Sequence, residues 1–156
     1  MTRAGLDLDA LEALARDVAE RCAPVAALWP VTIGLRGGLG AGKTTFTRAF
    51  VGALEGGGTV RVTSPTYAIL HCYPTRPEVR HADLYRLEGE SDLDAIGFAE
   101  AVEEPGFNLV EWIDRVPAAL PPESVEITLA ASGEDVRDVR VIARGAALAP
   151  LFEETQ

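Results

Sequence analysis

Apolar residues recur with two different periods along this chain, and the alternation between them predicts its elements. Leu8, Leu11, Leu14, Ala15, Val18 and Ala19 fall at helical spacing, so residues 9–22 read as a helix packed on a core, with Asp7 or Asp9 as N-cap. Residues 23–30 carry two prolines and Trp29 and read as a connector. The apolar run Val31-Thr32-Ile33-Gly34-Leu35 reads as a buried strand. Phe46, Ala49, Phe50 and Ala53 then return to helical spacing, in a helix ended by Gly56-Gly57-Gly58.

Further along, residues 60–62 and 67–73 read as extended, separated by Ser64-Pro65, and Pro74 and Pro77 mark a turn. Residues 79–85 form another expected strand. Leu93, Ile96, Ala99 and Val102 give a short helix, entered at Ser91 or Asp92 and interruptible at Gly97. Phe107-Asn108-Leu109-Val110-Glu111-Trp112 reads as a buried strand ending at Glu111. Val125 to Leu129 alternates cleanly, and residues 136–143 are placed to pair with it as a late hairpin. Strands mixed with helices imply an α/β, three-layer sandwich with a mainly parallel central sheet and antiparallel C-terminal edge strands. The expected organisation is one domain spanning 1–156.

The segment between the first buried strand and the second helix carries the chemistry. Gly37-Gly38-Leu39-Gly40-Ala41-Gly42-Lys43-Thr44 fits the phosphate-binding pattern G-x-x-x-x-G-K-[ST], and Thr45 continues it into the helix. Glycines let the backbone turn through positive φ and present successive N–H groups to phosphate oxygens. The helix start adds its positive dipole end and its unpaired N–H groups. The Lys43 ammonium is suited to neutralising β- and γ-phosphates, and the Thr44 hydroxyl to ligating Mg²⁺. Strand, loop and helix occur in the order such a nucleotide site needs.

A phosphate-loop enzyme also needs a carboxylate at the end of a neighbouring strand, to hold Mg²⁺ or its waters. Glu111 closes the apolar Leu109-Val110 run, and Asp83 sits in His81-Ala82-Asp83-Leu84-Tyr85-Arg86. Taken alone, each reads as a solvated strand-end carboxylate; beside a phosphate loop the functional role is favoured, for Glu111 more than for Asp83. Ser64-Pro65-Thr66-Tyr67 occupies the position of a nucleotide-sensing loop, where Thr66 offers a hydroxyl to a γ-phosphate or its attacking water; Ser-Pro also suits an ordinary turn. Trp112 reads as packing. His71 and His81 lack triad partners and zinc-site spacing, and read as structural. Arg86, Arg115, Arg137 and Arg140 include candidates for a charge-stabilising arginine, although surface ion pairing is the simpler role.

Composition narrows the partners. The net charge of −10 over 156 residues opposes direct, electrostatically driven binding to nucleic acid and favours partners with positive patches. No apolar run reaches membrane-spanning length. Two lone cysteines, Cys22 and Cys72, without C-x-x-C spacing, suit a reduced, cytoplasmic setting.

Taken together, Gly40-Ala41-Gly42-Lys43-Thr44-Thr45-Phe46, Ser64-Pro65-Thr66-Tyr67, His81-Ala82-Asp83-Leu84-Tyr85-Arg86-Leu87 and Val110-Glu111-Trp112 resemble the TsaE (YjeE) family. These are small bacterial ATPases of threonylcarbamoyladenosine biosynthesis in tRNA. Apart from the phosphate loop each motif is weak, but four in this order are specific, and they span about residues 35–129. The resemblance implies ATP and Mg²⁺ as cofactors, with Gly38, Leu39, Gly40, Ala41, Gly42, Lys43, Thr44 and Thr45 around the phosphates. It implies Thr44 and Glu111 on the metal, Asp83 near the metal or the attacking water, Thr66 sensing the γ-phosphate, and Trp112 beside the site. It implies TsaD-like and TsaB-like partner proteins, with tRNA met only through them and adenosine 37 as the modified base. The sequence departs from the family at Gly38, where an acidic residue is common, and at Ile113-Asp114, where proline is common.

Two other functions remain open at this level. A small-molecule kinase needs a second substrate pocket and an arginine-bearing lid, for which residues 73–80 are a poor candidate. A nucleotide-gated assembly factor would bind ATP and barely hydrolyse it. A GTPase is disfavoured, because no N/TKxD base-reading motif occurs.

Overall fold

A computed structural model describes residues 1–63, 70–95 and 97–153. The elements run β1 (Thr2–Leu6), α1 (Leu8–Ala26), β2 (Pro30–Arg36), α2 (Lys43–Ala53), β3 (Leu70–Tyr73), β4 (Val79–Asp83), α3 (Glu90–Ala95), α4 (Phe98–Ala101), β5 (Gly106–Glu111), β6 (Ser124–Gly133) and β7 (Val136–Arg144). They build one seven-stranded sheet of order β1-β7-β6-β2-β5-β4-β3.

The four central strands, β6, β2, β5 and β4, are parallel neighbours. Antiparallel strands close both edges, β7 and β1 on one side and β3 on the other. The expected α/β sandwich with a parallel centre and an antiparallel C-terminal hairpin is therefore present.

Alternation along each strand sends side chains to two cores. Val31, Ile33, Leu35, Phe107, Leu109 and Ile127 pack with Leu11, Val18, Phe46 and Phe50 from α1 and α2. Phe50 meets Phe107 edge-on, with ring centroids 4.9 Å apart. On the opposite face, Ala82 and Val110 lie under Leu93, Phe98, Ile113, Val116 and Ala119, contributed by α3, α4 and the turns after β5. Three layers result because a parallel sheet buries both faces.

Helix α1 starts as expected, with the Asp7 carboxylate accepting the Ala10 N–H at 2.8 Å. It runs through Pro24 to Ala26 rather than stopping at Cys22. A proline this near a helix end removes a single ladder hydrogen bond, and burial of Cys22 and Ala26 holds the last turn in place. Strand β1 was not expected. Its sequence, Thr-Arg-Ala-Gly-Leu, does not alternate, and pairing with β7 is what makes it a strand. Residues 60–62 belong to no strand, and the strand expected over 79–85 ends at Asp83. The expected break at Gly97 divides α3 from α4, and Gly97 has φ 66°. Among the described residues, no helix is long and apolar enough to cross a membrane.

Candidate active site

The phosphate loop connects the end of β2 to the start of α2. Its backbone depends on glycine at two positions in particular. Gly37 approaches the Leu129 carbonyl so closely that a Cβ there would lie 2.5 Å from its oxygen. Gly42, the N-cap of α2, has φ 104° and carries no side-chain cap. The N–H groups of the first turn of α2 therefore have no intrahelical acceptor and point out of the helix end, an arrangement suited to anions.

Lys43 is folded into this loop. Its Nζ donates to the Gly37 and Gly38 carbonyls at 2.7 and 2.8 Å and lies 3.7 Å from the centroid of the Trp112 ring. Burial lowers its pKa below the ordinary lysine value, opposed by the carboxylates of Glu111, Asp114 and Asp83. Trp112 is thus brought to the loop rather than only to the core. Its backbone has φ 59°, which ends β5 and turns the indole toward Lys43. The Tyr85 ring packs tilted against Trp112, with ring centroids 4.8 Å apart, and the Arg115 guanidinium lies 5.1 Å from the Tyr85 ring.

The two candidate carboxylates arrive on adjacent parallel strands. Glu111 is 2% exposed at the end of β5. Both its oxygens lie 3.4 Å from the Thr44 hydroxyl, and Oε1 lies 3.3 Å from the Thr47 hydroxyl. The nearest polar contact of Oε1 is His81 Nε2 at 2.9 Å, and His81 Nδ1 is 3.2 Å from the Tyr73 hydroxyl. Burial raises the pKa of the Tyr73 phenol; its contact to the Thr63 backbone lowers it and the Glu111 charge raises it. Asp83, also buried, accepts the Tyr85 N–H on Oδ1 at 2.9 Å and so holds the turn after β4.

Of the residues singled out in the sequence, Gly38 to Thr45, Asp83, Glu111 and Trp112 converge at the C-terminal ends of β2, β4 and β5, where ligands bind in open α/β sheets. Thr66 lies outside the described residues. His81 and Thr47, both fully buried, were missed as site residues. Spacing carried a faint signal for His81, since it sits two residues before Asp83 and so shares its strand face. The other arginines do not gather at one point. Arg137 reaches the loop from β7, its Nη2 3.5 Å from the Gly40 carbonyl, whereas Arg140 is exposed on that strand.

The oxygen set suits Mg²⁺. One hydroxyl and one buried carboxylate lie side by side at a helix N-terminus, and Mg²⁺ prefers one or two carboxylates plus phosphate and water oxygens to an all-protein cage. Among the described residues there is no cluster of three His, Cys, Asp or Glu side chains to form such a cage.

Comparison with known proteins agrees with this geometry. The family described as "Threonylcarbamoyl adenosine biosynthesis protein TsaE" matches residues 6–139. The tRNA threonylcarbamoyladenosine biosynthesis protein TsaE of Bacillus subtilis (strain 168) is 39% identical over 77% of this chain and 74% of its own length. The protein of the same name from Treponema pallidum (strain Nichols) is 37% identical over 69% of this chain and 78% of its own. The crystal structure of Bacillus subtilis YdiB superposes with a TM-score of 0.75 at 28% identity, covering 97% of this chain and 90% of that one. With its phosphate loop, paired strand-end carboxylates and these relatives, the chain belongs to the TsaE family of threonylcarbamoyl adenosine biosynthesis proteins.

Proposed function

We propose that this chain is the ATP-binding and ATP-hydrolysing subunit required for threonylcarbamoyl modification of adenosine 37 in tRNA, a single cytoplasmic phosphate-loop domain working with TsaD-like and TsaB-like proteins. The observation that carries the reading is the convergence of Thr44 and Glu111 at the mouth of the phosphate loop, at 3.4 Å, in a chain of this family.

In this reading the loop N–H groups of residues 38–45 bind the phosphates, and the Lys43 ammonium leaves the Gly37 and Gly38 carbonyls to neutralise them. Thr44 and Glu111 hold Mg²⁺, which when bound withdraws charge from the terminal phosphates. Asp83 orients the attacking water from the neighbouring strand, and Thr66 senses the γ-phosphate. Trp112, on the outer side of Lys43, screens the ammonium from solvent and keeps the site dry. The acidic surface leaves tRNA to the partner proteins.

A small-molecule kinase is less well supported. A cavity of about 640 Å³, lined by Trp29, Pro30, Phe98 and Val102, lies where β2 begins, whereas the phosphate loop lies where β2 ends. A seven-residue strand separates the two by roughly 20 Å, too far for phosphoryl transfer. The deciding experiment is Mg²⁺-ATP turnover by the purified chain, alone and with its TsaD-like and TsaB-like proteins. Slow hydrolysis that rises with the partners is expected. Transfer of phosphate to a small-molecule acceptor would replace this reading, and binding without turnover under any condition would leave an assembly factor.

A further inference from the structure

Glu111 is held from behind by a chain of two buried side chains. His81 is fully buried on β4, with its Nε2 2.9 Å from Glu111 Oε1. Tyr73 on the edge strand β3 is buried, and its hydroxyl is 3.2 Å from His81 Nδ1. An ionised carboxylate only accepts hydrogen bonds, so Nε2 must carry the proton shared with Glu111. In the neutral ring Nδ1 is then an acceptor, and the Tyr73 hydroxyl donates to it. The hydroxyl has one proton and a second acceptor within reach, the Thr63 carbonyl at 3.5 Å, but Nδ1 at 3.2 Å is the nearer of the two.

The two Glu111 oxygens are therefore not equivalent. Oε1 receives His81 at 2.9 Å and Thr47 at 3.3 Å, whereas Oε2 is met by the Thr44 hydroxyl, which lies 3.4 Å from both oxygens and has one proton to share between them. We propose that His81 is a positioning residue, which pins Glu111 by Oε1, leaves Oε2 with its lone pairs for the metal, and is itself fixed in the Nε2–H tautomer by Tyr73. This rests on the reading that Glu111 holds Mg²⁺. It assigns a task to a histidine whose sequence context suggested only packing, and to a tyrosine on another strand. Partners of this kind, one bond behind a metal ligand, commonly set metal affinity as strongly as the ligand's own orientation.

The test uses the whole chain and a non-hydrolysable ATP analogue. Its affinity is measured by calorimetry as a function of Mg²⁺, and again in EDTA. In His81→Phe a planar, somewhat larger ring is kept and the hydrogen bonds are lost. The Mg²⁺ concentration for half-maximal enhancement should rise about tenfold, with metal-free affinity unchanged. His81→Gln, which restores an N–H near the Nε2 position, should recover most of the difference. Tyr73→Phe removes one hydroxyl and should shift the same midpoint in the same direction, by less. This variant carries the test if His81→Phe does not fold. The chain has only two histidines, His71 and His81, so ¹⁵N-labelled histidine spectra report the tautomer directly. The His81 ring should be protonated at Nε2 in the wild type, and Tyr73→Phe should weaken that preference.

A wild-type Mg²⁺ midpoint in the folded His81→Phe protein, or an Nδ1–H tautomer in the wild type, would overturn the proposal. A role in packing alone would lower thermal stability and both affinities together, and leave the Mg²⁺ midpoint in place. Glu111→Gln separates this from the metal assignment. If it keeps full metal dependence, the assignment of Glu111 fails and takes this proposal with it. If it loses that dependence while His81→Phe keeps it, the positioning role alone is refuted.

Discussion

Asp83 and Glu111 are register partners, side by side at the C-terminal ends of the parallel strands β4 and β5. Their second contacts set them apart. Glu111 faces the hydroxyls of Thr44 and Thr47, whereas Asp83 braces the turn through the Tyr85 N–H. Glu111→Ala should therefore lower Mg²⁺-dependent turnover by roughly 100-fold, a transition-state loss of about 3 kcal/mol, while nucleotide affinity changes much less. Asp83→Ala should slow turnover with metal affinity largely retained. Steady-state rates across a Mg²⁺ titration check both, and the reverse pattern would exchange their roles.

Lys43 makes two short hydrogen bonds inside its own loop and sits against an indole, so its ammonium is held at the loop and in the proposed function exchanges the Gly37 and Gly38 carbonyls for phosphate oxygens. Lys43→Ala should weaken Mg²⁺-ATP binding by about 100-fold, the equivalent of roughly 3 kcal/mol of charge-assisted hydrogen bonding. Far-ultraviolet circular dichroism should be unchanged, because the loop turns on glycines rather than on this side chain. Calorimetric titration is the measurement, and unchanged affinity removes this loop as the phosphate site.

Thr66 is proposed to sense the γ-phosphate. Thr66→Ala should reduce hydrolysis and spare ADP binding, since a hydroxyl that meets the terminal phosphate or its water contributes nothing to a diphosphate complex. Parallel titrations with ADP and a non-hydrolysable ATP analogue decide the matter. Equal weakening of both would return Thr66 to the turn that Ser64-Pro65 favours.

The phosphate loop, the strand before it and the helix after it were legible because each is a local pattern: an apolar run, glycines at fixed offsets, then helical spacing. Glu111 was legible for the same reason, as the polar end of an apolar strand. The supports of Glu111 were not. His81 and Thr47 are polar residues on buried faces, and their meaning comes from a carboxylate 30 and 64 residues away. Strand β1 was hidden as well, because its ladder depends on β7 and on bonds such as the Met1 amino group to the Val141 carbonyl at 3.1 Å. Pro24 misled in the opposite sense: tertiary burial of its neighbours outweighed one lost backbone bond.

The two thiols should differ sharply. Cys22 is buried in α1, and burial pushes its pKa up to about 12, partly offset by Arg21. Cys72 is exposed on β3. One thiol per chain should react promptly with a disulfide reagent at pH 8, the other only on unfolding. The raised value also sets a sign. Above the unfolded thiol's pKa of about 8.5 the unfolded chain ionises Cys22 and the folded chain does not. The stability tied to the neutral thiol is thus fully present below that pH and is lost as pH rises toward 12. Urea unfolding from about pH 9 to 11 should show the wild type losing about 1.4 kcal/mol per pH unit more than Cys22→Ala. Parallel curves would contradict it.

The central claim is that this ATP site serves threonylcarbamoyladenosine formation in tRNA. Its most direct test is mass spectrometry of digested tRNA from cells that lack the chain and carry either the wild type or Glu111→Gln. The substitution keeps the side chain's shape and removes the charge proposed to hold Mg²⁺. The account predicts that the modified nucleoside is depleted without the chain, restored by the wild type and not restored by Glu111→Gln at equal protein levels. Normal modification in the deletion strain, or full restoration by Glu111→Gln, would contradict it.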